Sequence, residues 1–137
     1  MQWVLVAMLV FDLASVKNEP NLEKRSELAL DNANAALDQA REAYTAGDSA
    51  KMAAALNEVR ESVDLSYDSL SESGKDPRGS RSFKRAELRT RELLRRLEGM
   101  RETVGFEERA IVDKVHDRVA EVHDSLIQGI MSKRKKK

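Results

Sequence analysis

His116 and His123, seven residues apart, are the groups in this 137-residue chain best suited to proton chemistry near neutral pH. Asp113 precedes His116 by three residues, a spacing at which helices aim a carboxylate and an imidazole at one metal ion, and Glu121 precedes His123 by two. A buried metal centre needs further carboxylates on facing helices. The apolar row beside the histidines, Val112, Val115, Val119, Val122 and Leu126, is aliphatic, and no other predicted helix sets a carboxylate in its row. The pattern predicts no metal site and no cofactor. It places both histidines at the edge of a core with their tips in water, where a second subunit against that face would make them a pH-sensitive contact. Nucleophilic chemistry has less to work with, since there is no cysteine and no serine in a Gly-x-Ser-x-Gly setting. No residue is nominated as catalytic; the chain reads as a non-enzyme with no small-molecule substrate indicated.

A second candidate is Gly74-Lys75-Asp76-Pro77-Arg78-Gly79-Ser80-Arg81. Its glycines have the separation of a phosphate-binding loop, but the Lys-Ser/Thr pair is missing and a helix, not a strand, precedes it. What remains is a helix start with free backbone N–H groups and Arg78, Arg81, Lys84 and Arg85 close by, a setting that favours anions. The same helix carries Lys84, Arg85, Arg89, Arg91, Arg95 and Arg96 on the half of its wheel opposite Phe83 and Leu97, with Leu88 in the middle. Arg78, Arg81, Lys84, Arg85, Arg89, Arg95 and Arg96 are therefore the candidate anion- or partner-binding residues. A basic tail, Lys133, Arg134, Lys135, Lys136 and Lys137, follows the last helix.

These cations sit in a chain of formal net charge zero whose charges are sorted by segment. Residues 19–74 carry a net of −7, residues 75–101 a net of +6, residues 102–132 a net of −4 and the tail +5. The predicted second long helix holds the complement to the basic one, with Glu58, Glu61, Asp64, Asp68 and Glu72 opposite Leu56 and Val63. Such faces either trade surface ion pairs with neighbouring helices or meet a partner. An anionic membrane surface suits the tail, because each cation adds about 1 kcal/mol near anionic lipid. Nucleic acid is disfavoured, since aromatics are 4% of the chain, none is interleaved with the arginines, and no recognition motif is present.

The elements that carry these groups follow from periodicity. Residues 1–17 form an apolar segment whose run Trp3–Phe11 is too short to span a bilayer. Its length suits a secretory h-region, yet no Lys or Arg precedes it and cleavage after Ala14 would put Asp12 where a small residue is wanted; an arm packed on the domain or on a second copy is the other reading. Asn18-Glu19-Pro20-Asn21 separates it from the domain, residues 18–132. Apolar residues then recur at helical spacing in four stretches of about 25 residues, each about 37 Å long. The first runs from about Asn21 to Ala46 with the row Leu30, Ala33, Leu37, Ala40 and Tyr44, and Gly47 stops it. The second starts at Asp48 or Ser49, carries Met52, Leu56, Val59, Val63, Tyr67 and Leu70, and ends at Ser73-Gly74. The third starts near Ser80 or Ser82, carries Phe83, Ala86, Thr90, Leu93, Leu97, Met100 and Val104, and ends at Gly105. The fourth starts at Phe106 and fades through Ile130.

Equal lengths and short turns predict an all-α, up-down-up-down antiparallel four-helix bundle; the longer loop at residues 74–79 also permits two hairpins exchanged between subunits. Ala36 to Leu56, with Ala46-Gly47-Asp48 at the turn, resembles one turn of a tetratricopeptide repeat, but no second copy follows at a period of about 34 residues. The expected function is a non-enzymatic interaction or structural module, exported or envelope-associated, that offers a cationic helix face to a protein partner, to itself or to an anionic lipid surface. The competing expectation is a nucleic-acid-binding or regulatory protein using the same arginines and tail.

Overall fold

The computed structural model describes residues 13–132, and among them every regular element is an α-helix. The run Trp3–Phe11 and the tail of residues 133–137 lie outside the described residues. Helix α1 (Leu13–Lys17) is a short piece that stops at the expected break before Pro20. Three of the four long helices begin where a local side chain takes up an N–H group left unpaired by the first turn. In α2 (Leu22–Thr45) Asn21 accepts from the Lys24 N–H at 3.0 Å. In α3 (Ser49–Glu72) Asp48 accepts from the Lys51 N–H at 3.0 Å. In α4 (Arg81–Thr103) Ser80 accepts from the Phe83 N–H at 3.3 Å. Helix α5 (Phe106–Met131) has no side-chain cap, and Glu107 and Glu108 face its dipole instead. Gly47 and Gly74 close α2 and α3 at φ of +75° and +73°, a conformation that a Cβ would strain.

The predicted apolar rows make one core to which all four long helices contribute, with Leu37, Leu56, Val59, Val63, Leu93, Leu97, Val112 and Val119 fully buried. Burying each such side chain contributes about 1.5–3 kcal/mol before chain entropy is set against it. The closest packing joins α2 to α3, where buried small residues (Ala29, Ala36, Ala40 and Ala43 on one helix, Ala55, Ser62, Ser66 and Ser69 on the other) leave room for near approach. Polar contacts cross this seam: Ser26 pairs with Ser66 at 2.7 Å, and Asn32 donates to Ser62 at 2.9 Å and to Glu58 at 2.9 Å.

Neighbour order departs from the expected ring of antiparallel helices. Each hairpin, α2–α3 and α4–α5, is antiparallel, but the hairpins meet through like-directed helices. Contacts between α2 and α4 climb both helices together: Glu23 with Ser82, Glu27 with Arg85, Asp31 with Arg89 and Asp38 with Arg96. Helix α5 lies beside α3, where Arg118 reaches Asp64 at 2.8 Å. The order around the core is therefore α2–α3–α5–α4, with α3 and α4 on the diagonal. Residues 73–80 make this order accessible, because a loop of that length can cross the end of the bundle. Pro77 of the loop rests on α5 at Gly129, where a Cβ would come within 3.1 Å of the proline ring.

Candidate functional site

The predicted cationic face of α4 divides into rows with different fates. Arg85, Arg89 and Arg96 lie on the side toward α2 and are taken up there. Arg85 pairs with Glu27 at 3.0 Å, Arg89 pairs with Asp31 at 2.7 Å, and Arg96 binds Asn34 at 3.0 Å and also Asp38. The acids that answer the basic helix are thus those of α2, whereas the acidic row of α3 lies diagonally across the core. Arg78 folds back on its own loop and grips both carboxylate oxygens of Asp76 at 3.0 and 2.7 Å. The start of α4 is closed by the Ser80 cap, so the anion-ready turn has lost one of its free donors.

The remaining cations form a row. Arg81, Lys84, Leu88, Arg91 and Arg95 follow at spacings of three and four and are all exposed, Leu88 by 56%. Over 14 residues this row is about 21 Å long. Arg91 and Arg95 make only short-range pairs on their own helix, with Glu87 and Glu92. Among the described residues no ion pair engages Arg81 or Lys84. Leu88 stands among these cations, and the row is the part of the predicted site that the fold leaves available.

The histidines correct the sequence expectation. His123 does not put its tip in water: its Nε2 lies 2.8 Å from an oxygen of Glu87 across the α4–α5 seam, and its side chain is 16% exposed. Glu87 is itself buried, and Arg91 grips it through Nε at 2.9 Å and Nη2 at 2.6 Å. So a carboxylate does stand at the edge of an apolar row, contrary to expectation. Burial pushes the Glu87 carboxyl up, and the hydrogen bonds from His123 and then Arg91 outweigh it, holding the group below its ordinary value. His116 meets Glu98 at 3.2 Å on the same seam, and Arg101 meets Asp113 at 2.6 Å. The signal for Glu87 was present in Phe83, Glu87, Thr90 and Leu94, which step by four and three along one edge of the core.

A cleft of about 360 Å³ opens between the C-terminal ends of α2 and α4, lined in part by Arg41, Tyr44, Arg96 and Gly99. Both helices point their negative dipole ends at it, and Arg96 is already bound to Asp38, so the cleft is weakly suited to an anion. Among the described residues no cluster of three or more His, Asp or Glu side chains is placed to hold a metal ion. Among the same residues no helix is long and apolar enough to cross a membrane. Comparison with family models, with curated proteins and with solved structures gives no match to this chain.

Proposed function

We propose that this chain is a non-catalytic helical docking module whose α4 face receives an acidic protein surface. One observation carries the reading: Arg81, Lys84, Arg91 and Arg95 flank an exposed leucine on a single row, while the arginines beside them are spent on α2. Apolar anchors surrounded by charge are the usual anatomy of a protein contact, in which the anchor holds and the ring selects and steers. Duplex phosphate makes no comparable use of a central leucine. The four cations would give binding a steep salt dependence.

The test is titration of the full chain against a labelled acidic polypeptide, random duplex DNA, and vesicles containing phosphatidylglycerol, at low and physiological salt. Binding to the polypeptide should fall at least tenfold in Arg81→Glu/Lys84→Glu and in Leu88→Ser. Loss of lipid binding on removal of residues 133–137 alone, with no effect of the α4 changes, would move the function to the tail. DNA binding tighter than polypeptide binding would replace this reading with the nucleic-acid one.

A further inference from the structure

We infer that the acidic surface is supplied by a second copy of this chain, through the outward face of its α3; the inference rests on the docking reading above. Glu61, Leu65, Asp68 and Glu72 repeat the α4 pattern with the opposite charge, at spacings of four, three and four. Laid antiparallel with Leu88 against Leu65, the rows set Arg81 against Glu72, Lys84 against Asp68 and Arg91 against Glu61. Leu65 lies in a shallow groove of about 230 Å³, walled by Leu13 of α1 and rimmed by Glu61, Asp64 and Asp68, with Lys17 on the α1 side. A leucine standing 56% exposed among cations on one face and a shallow groove holding Leu13 and Leu65 within an acidic rim on the other are complementary in charge, with an apolar contact at the centre of each. Like Arg81 and Lys84, Glu61 and Asp68 have no ion pair among the described residues, while Glu72 reaches Arg25 only at 3.9 Å.

The fold makes this pairing extendable. Because α3 and α4 are diagonal, the two faces look out from opposite sides of the bundle, and a copy cannot join its own rows. Ser26 meets Ser66 while Glu27 meets Arg85, so Leu65 and Leu88 stand at nearly the same height. Within one copy α3 and α4 run in opposite directions, so antiparallel docking leaves both copies pointing the same way. The contact is heterologous and repeats sideways, giving a row of bundles that stays open unless its rotation closes it.

Sedimentation velocity of the full chain over a concentration series at low salt tests this. The average mass should climb beyond a dimer with concentration and return to monomer in molar salt. Lys84→Glu disables the α4 face, where it would meet Asp68, and Glu61→Lys disables the α3 face, where it would meet Arg91; both positions are exposed, and far-UV circular dichroism confirms that each variant folds. Each variant alone should be monomeric. Their equimolar mixture retains one intact face of each kind and should stop at a one-to-one dimer. A wild-type chain that stays monomeric at every concentration, a variant that assembles unaided, or a mixture that stays monomeric overturns the inference. If the wild type stays monomeric yet still binds the acidic polypeptide, the docking reading stands and only the identity of the partner falls.

Discussion

Replacing Glu87 by glutamine keeps its volume and removes its charge, and the structure sets what that should cost. The carboxylate accepts from His123 at 2.8 Å and from Arg91 at 2.6 to 2.9 Å, and its side chain is 9% exposed. Hydrogen bonds to charged groups contribute about 1.5–3 kcal/mol and neutral ones about 0.5–1.5 kcal/mol, so each partner stands to lose about 1 kcal/mol. Arg91 is 53% exposed, and solvent screening puts its share at the low end. The total for Glu87→Gln is about 1–2 kcal/mol, equivalent to roughly 4–8 °C in Tm for a domain of this size. The pH dependence has a definite sign. The folded carboxyl is held below its ordinary value of 4.5, so its contribution is complete above that value and disappears as pH falls through the lower folded one. Urea unfolding followed by circular dichroism should show the full gap between wild type and Glu87→Gln at neutral pH and a gap that narrows as pH falls below 4.5. Equal stability at neutral pH, or a gap that persists in acid, would refute the assignment of Glu87 as a charged clasp between α4 and α5.

Three further substitutions test the packing. Gly99→Ala should stabilise by about 0.5–1 kcal/mol, because Gly99 is inside α4 with nothing within 4 Å of a new Cβ, and alanine restricts the unfolded chain. Ser69→Ala should also stabilise, by about 1 kcal/mol in thermal or chemical unfolding, since the Ser69 hydroxyl is buried without a hydrogen-bond partner among the described residues. Ser80→Ala should destabilise by about 1 kcal/mol by removing the α4 cap, with fraying of residues 81–84 visible in amide hydrogen exchange.

Caps, stops and apolar rows depend on residues within a turn or two of each other, and for that reason the sequence by itself determined four long helices, the starts of α3 and α4 to within a residue or two, the stops at Gly47 and Gly74 and nearly all of the core. It also located the cations of α4, since their spacing is a property of one helix. Which helix lies next to which is not local, and there the tertiary structure decided. Arg85 and Lys84 are adjacent in sequence and share the same half of the helical wheel, yet Arg85 is bound to Glu27 because α2 stands on its side, whereas Lys84 has no ion pair among the described residues. Glu87 is likewise one more surface acid until α5 closes over it and supplies His123. Periodicity tells a chain which face to bury; the neighbour that buries its flanks is chosen by how two hairpins fit together.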